Sequence, residues 1–131
     1  MSEQPGLLAI LELGGYPNFT GLYQRLGFNA TLVSSQRQAL AYLKSRIPAL
    51  VVAEYNFQSD FRDRTSNLEN LIARLQRHPQ VKLIAIYPPE QAERLNKLRG
   101  RFVIHAALPL PVTADAMERT LTQAMLVPGA V

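Results

Sequence analysis

Cysteine is absent from the 131-residue sequence, which excludes a disulfide framework and any site built on a thiolate. This absence agrees with a cytoplasmic location, which we expect. No apolar run approaches the roughly 20 residues that a helix needs to span a bilayer. The first residues, up to Gly6, are acidic and polar and lack the basic start of a signal peptide. We therefore expect no contact with a membrane.

Motifs of nucleotide-binding and catalytic sites are also lacking. Gly14 and Gly15 do not have the spacing of a dinucleotide-binding loop, and no Walker pattern occurs. No serine lies in a nucleophile-elbow pattern. His78 and His105 have neither triad nor metal-ligand spacing. We expect a protein that is not an enzyme and that holds no metal and no cofactor.

The charged residues indicate a solvated surface. The formal net charge is +4, and the basic residues are scattered along the chain. Their densest group, at 97–101, has few aromatic residues interleaved, so we expect no direct binding of nucleic acid. In the long polar loop at 58–65, Asp60 and Asp63 alternate with Arg62 and Arg64. This alternation favours a self-neutralised, solvated loop over a site for a metal or a partner.

A short apolar run at 50–53 is the feature around which the chain is organised. Its β-branched residues and its lack of polar alternation are typical of a strand buried on both faces, in the middle of a parallel sheet. A second apolar run lies at 7–13, broken only by Glu12. The central run ends on Glu54, at the edge where open α/β sheets place their ligands.

Strands and helices are predicted to alternate five times, with strands at 7–13, 29–33, 50–53, 81–86 and 102–108. Local signals set the helix ends: Gly27 as a C-terminal glycine, and capping residues at Ser35, Ser66 and Thr113. The inward stripe of the fourth helix is predicted to be Ala92, Leu95 and Leu98. This order predicts an α/β, flavodoxin-like three-layer sandwich. Its five-stranded parallel sheet has the order 2-1-3-4-5 and carries five helices, in a single domain over 1–131 with a core at about 7–125.

This pattern resembles the CheY-like receiver domains of two-component response regulators over essentially 7–125. The resemblance is carried by the strand ends at 10–12 and 48–54, by the segment 108–111, and by their spacing. It implies a signalling domain whose site has lost its chemistry. The residues at the matching positions are Glu54 for the phosphoacceptor aspartate, Glu12 and Leu13 for the magnesium-binding acid pair, Tyr87 for the hydroxyl residue, Ala107 for the aromatic switch and Leu110 for the lysine.

The chemistry of these residues supports the same interpretation. Leu13 supplies no oxygen ligand for magnesium, and Leu110 supplies no positive charge for a phosphoryl group. Glu54 is one methylene longer than aspartate, which displaces its carboxylate. Two roles stay open for Glu54: a fixed negative charge that mimics an always-active state, or a leftover carboxylate satisfied by backbone amides. Glu12 with Glu54 alone is a poor cation site.

The first functional hypothesis is therefore a pseudo-receiver that binds another protein, or itself, without phosphorylation. By resemblance, its contact surface is the face made by the fourth helix, the fifth strand and the fifth helix. The residues expected there are Arg94, Lys97, Leu98, Arg101, Asp115, Glu118, Arg119 and Thr122.

The second hypothesis is a small-ligand sensor with a pocket lined by Glu12, Tyr16, Glu54, Tyr55 and Tyr87. A phosphoaccepting receiver with unusual residues is the third.

Overall fold

A computed structural model describes residues 4–12, 16–55 and 69–126. The strands are Gly6–Ile10 (β1), Asn29–Val33 (β2), Leu50–Glu54 (β3), Lys82–Tyr87 (β4) and Ala106–Pro109 (β5). The helices are Thr20–Arg25 (α1), Gln36–Ser45 (α2), Glu69–Leu75 (α3), Ala92–Arg99 (α4) and Ala114–Leu126 (α5), with a 3₁₀ turn at Pro89–Gln91. Within the described ranges, no helix is both long enough and apolar enough to cross a membrane.

The five strands form one parallel sheet in the order β2-β1-β3-β4-β5, as predicted. In the middle of the sheet, Val52 of β3 lies between Ala9 of β1 and Ile84 of β4. Every residue of β3 is buried, which explains why its sequence shows no polar alternation.

Two apolar cores cover the two faces of the sheet, because successive side chains of a strand point to opposite faces. Leu50 and Val52 pack in the core that holds the buried residues of α1 and α5. Val51 and Ala53 pack in the core that holds those of α2, α3 and α4. The predicted three-layer arrangement is confirmed.

Local sequence signals act as predicted at three helix ends. Gly27 follows α1 with a φ of 95°, a left-handed conformation that favours glycine. The Ser35 hydroxyl accepts a hydrogen bond from the Gln38 backbone N–H at 3.1 Å, and the Thr113 hydroxyl accepts one from the Ala116 N–H at 3.1 Å.

Several predicted boundaries are wrong. β1 ends at Ile10 rather than at 13. α2 ends at Ser45 because Arg46 already has extended backbone angles on the approach to Pro48, so Ile47 is exposed instead of facing inward.

The fifth strand, predicted within 102–108, begins only at Ala106 and ends at Pro109. The N–H groups of Arg101 and Phe102 both donate to the Leu98 carbonyl at 3.0 Å, which holds this segment as a turn at the end of α4. The loop at 58–65 and the cap at Ser66 lie outside the described residues.

Candidate functional site at the carboxyl edge of the sheet

Glu54 is the last residue of β3 and the only buried charged residue in the described part of the chain, with 4% of its surface exposed. Strand alternation places its side chain on the face that α1 and α5 cover. A buried carboxylate needs hydrogen-bond donors, because its transfer from water is costly. The surroundings of Glu54 therefore decide what this edge of the sheet can do.

The backbone of the neighbouring strand end supplies one such donor. The Glu12 N–H donates to the Glu54 Oε1 atom at 2.5 Å. β1 and β3 are adjacent in the sheet, which brings the residues that follow β1 next to the end of β3. The Glu12 side chain itself is exposed. Of the two roles left open for Glu54, this contact favours the carboxylate satisfied by backbone amides.

Tyr16 closes the same edge from the α1–α5 face. Its ring is buried, and its hydroxyl donates to the Ile10 carbonyl at 2.8 Å. Burial raises the pKa of the Tyr16 hydroxyl, and the nearby Tyr23 and Glu54 raise this pKa further. Tyr16 is therefore a neutral hydrogen-bond donor that anchors the segment after β1.

The tyrosines of the predicted ligand pocket do not line a common space. Tyr16 packs in the core of the α1–α5 face, whereas Tyr55 packs in the core of the opposite face. The Tyr55 N–H donates to the Ile86 carbonyl at 2.7 Å, which ties this residue to β4. Tyr87, half-buried, also packs on the Tyr55 side.

Apolar and aromatic side chains occupy the remaining positions that the receiver resemblance singles out. Tyr87 ends β4, and its carbonyl accepts a hydrogen bond from the Leu110 N–H at 2.9 Å. Leu110 packs against the core of the α1–α5 face, and Ala107 packs against the opposite core. Leu13 lies outside the described residues. No group of three or more potential metal-ligating side chains occurs in the described ranges.

The predicted contact face keeps most of its exposed residues but loses its apolar member. Exposed side chains on this face are Arg94, Lys97, Arg101, Asp115, Arg119 and Thr122. Leu98 is 6% exposed and packs in the core beneath α4, so the expected apolar contact through Leu98 is corrected. Glu118 forms an ion pair with Arg25 of α1 at 3.1 Å, which gives its carboxylate a partner within the chain.

Sequence reasoning missed two polar groups within the fold. The Tyr23 hydroxyl is buried and has no hydrogen-bond partner among the described residues. Tyr23 lies four residues after Phe19, and residues at this spacing share a helix face. This spacing was the available signal that the Tyr23 ring is buried. The Lys82 ammonium group donates to the Ala124 carbonyl near the end of α5, a long-range contact for which the sequence carries no signal.

Solved receiver structures match the whole architecture. A response regulator receiver domain from Clostridium thermocellum superposes with a TM-score of 0.73 at 16% identity, over 93% of this chain and 94% of the other. The chain has the fold of a response regulator receiver domain. A receiver protein from Burkholderia phymatum matches with a TM-score of 0.70 at 17% identity, over 98% of this chain and 100% of the other.

A third receiver domain, CheY-like and from Methylobacillus flagellatus, matches with a TM-score of 0.68 at 24% identity, over 94% of this chain and 99% of the other. No protein-family model matches the chain, and no curated protein matches it. At these identities the similarity establishes the receiver fold, and the site has to be interpreted from its own residues.

Proposed function

We propose that this chain is a receiver-like regulatory domain of two-component signalling that works by binding a protein partner or a second copy, without accepting a phosphoryl group. The observation that carries the proposal is the state of Glu54. Its carboxylate, at the position that matches the phosphoacceptor, is buried and already accepts the Glu12 N–H at 2.5 Å.

Phosphoryl transfer depends on positioning and on charge neutralisation. The acceptor oxygen must reach the incoming phosphorus, and cations must stabilise the charge on the transferred group. Leu110 at the lysine position supplies no cation, and Tyr87 takes the place of the small hydroxyl residue. These substitutions support a domain that does not catalyse its own phosphorylation.

The contact surface proposed for this function is the face made by α4, β5 and α5. Its exposed residues include both signs, with Arg94 and Lys97 on α4 and Asp115 on α5. Charges of both signs on one face suit a two-fold contact, in which each patch meets the same patch of a second copy. Exposed ion pairs contribute only about 0–1 kcal/mol each, and Leu98 is buried, so we expect weak association.

The test is an intact-mass measurement after incubation with a small acyl phosphate and magnesium. A phosphorylatable receiver domain treated in parallel is the positive control. We expect the mass of this chain to stay unchanged while the control gains one phosphoryl group. A stoichiometric adduct that maps to Glu54, and that the Glu54→Gln variant does not form, would show that the site still accepts phosphate.

A further inference from the structure

A groove with an apolar lining lies at the edge of the sheet opposite to Glu54, where the strands begin. It has a volume of about 400 Å³ and lies between the end of α3, the start of β4 and the segment that precedes β5. Its apolar walls are formed by Ile72, Leu75, Val81, Leu83, Phe102 and Val103. Binding pockets commonly have such an apolar lining with a few polar groups at fixed positions.

Val103 makes this groove different from the other surfaces of the molecule. It is 90% exposed and is the most exposed of the large apolar residues in the described part of the chain. Phe102, beside it, is half-buried. On the α4 and α5 helices, Leu98 is buried and Met125 is 48% exposed, about half as much as Val103. An apolar side chain of a partner can therefore contact the exposed Val103 at this groove.

The two segments that line the groove carry positive charge and no carboxylate. Residues 72–83 and 101–103 contain Arg74, Arg77, Lys82 and Arg101 and no Asp or Glu. Arg101 lines the groove, and its guanidinium carbon lies 5.4 Å from the centre of the Phe102 ring. Arg77, just after α3, is exposed as well.

Helix dipoles account for only part of this pattern. Cations in the last turn of a helix are stabilised by its partial negative charge, and Arg74 and Arg99 occupy such positions. Arg77 and Arg101 lie beyond the ends of α3 and α4. The positive charge therefore extends to the mouth of the groove, where it faces solvent.

We propose that this apolar groove, with its basic rim, binds a peptide segment of a partner protein. The segment is acidic and carries one or two large apolar side chains. The apolar side chains enter the space beside Phe102 and Val103, and the carboxylates pair with Arg101 and Arg77. Complementary charge directs such encounters, while buried apolar anchors and arginines carry most of the binding free energy. The inference rests on the proposed function, because it takes the chain to be a protein-interaction domain and names a partner chemistry.

The experiment is a selection from a displayed library of random peptides on the full chain, with the enriched sequences read out. Two variants disrupt the groove: Arg101→Glu, and Val103→Asp at a position 90% exposed, where we expect the fold to be kept. Arg37→Glu on α2 is the matched control, because it reverses an exposed arginine that lies outside both the groove and the α4–β5–α5 face. Circular dichroism checks the fold of each variant.

We expect enrichment of peptides that combine Asp or Glu with Leu, Ile or Phe. For the best peptide, fluorescence anisotropy should show that each groove variant raises the Kd at least about tenfold, which corresponds to about 1.4 kcal/mol. Arg37→Glu should leave the Kd unchanged.

Three results would overturn the proposal. The first is that no sequence is enriched over the Val103→Asp background. The second is an equal loss of affinity with Arg37→Glu, which would show that the peptides respond to net charge and not to the groove. The third is tighter binding of a labelled DNA duplex than of the peptides, with an affinity for DNA that Arg101→Glu lowers and Val103→Asp does not. This result would assign the basic rim to nucleic acid. Because this selection is independent of the phosphate measurement, the two proposals can fail separately.

Discussion

Two buried tyrosines should respond differently to the loss of their hydroxyl group. Tyr16 and Tyr23 both pack in the core of the α1–α5 face. The Tyr16 hydroxyl donates to the Ile10 carbonyl at 2.8 Å, whereas the Tyr23 hydroxyl has no partner among the described residues. We predict that Tyr16→Phe destabilises the protein and that Tyr23→Phe is neutral or stabilising.

The magnitudes follow from the hydrogen bonds. Losing a buried hydrogen bond lowers the free energy of unfolding by about 0.5–1.5 kcal/mol, and more if the remaining partner is left unsatisfied. Tyr16→Phe should therefore cost about 1–2 kcal/mol. Tyr23→Phe keeps the ring and its edge contact with Phe19, whose centre lies 6.5 Å away. It removes only a hydroxyl that no described residue satisfies. We expect a change between about zero and a gain of about 1 kcal/mol.

Urea unfolding followed by circular dichroism measures both changes. Extrapolated free energies carry errors of about 10–15%, so the midpoints should be compared at a shared m-value. The two midpoints are expected on opposite sides of the wild-type midpoint, or one below it and one equal to it. If Tyr23→Phe destabilises as much as Tyr16→Phe, the Tyr23 hydroxyl is satisfied and our account of this core is wrong.

Three further predictions concern the core, the contact face and pH. Leu50→Ala should lower the free energy of unfolding by about 2–5 kcal/mol, because it leaves a cavity at a fully buried position, whereas Ser35→Ala should lower it by only about 0.5–2 kcal/mol, because it removes a helix cap. Urea melts that rank the two variants the other way would refute the assignment of the central strand. Arg94→Glu combined with Lys97→Glu should weaken any self-association in analytical ultracentrifugation and leave the circular dichroism spectrum intact, and equal association would place the contact elsewhere. Burial, with a smaller effect of a nearby lysine charge, lowers the pKa of His105, so the unfolded chain binds a proton more readily and stability should fall as pH drops below about 6.5. The His105→Gln variant should show a smaller fall in melting temperature between about pH 7.5 and pH 5, and identical profiles would contradict this.

The sheet could be predicted from sequence because its signals are local. The apolar run that includes Leu50 is buried along its whole length, and the caps at Ser35 and Thr113 sit where their side chains predicted them. Gly27 likewise marks its helix end through a conformation that side chains disfavour. Alternating strands and helices then leave few topologies, which is why the strand order could be predicted as well.

Features that depend on tertiary contacts could not be predicted in this way. Gly100 marks the end of α4 in the sequence, but the two N–H groups that share the Leu98 carbonyl hold the next residues in a turn, and the apolar residues there do not reveal this contact. For Leu98 itself the helical spacing with Leu95 correctly predicted burial. Placing it on a contact face came from the family resemblance alone, so the local periodicity was the better guide.

At the carboxyl edge of the sheet, buried polar side chains form hydrogen bonds with nearby backbone groups. Glu54 accepts the Glu12 N–H, and Tyr16 donates to the Ile10 carbonyl, so two side chains bind backbone groups at and just after the end of β1. A phosphoaccepting carboxylate has to be free for the incoming group, whereas these side chains fix the chain ends in place. Substitutions at Glu54 and Tyr16 should therefore act on stability. If partner binding is what this domain does, variants of the exposed Arg101 and Val103 should change binding while the protein stays folded.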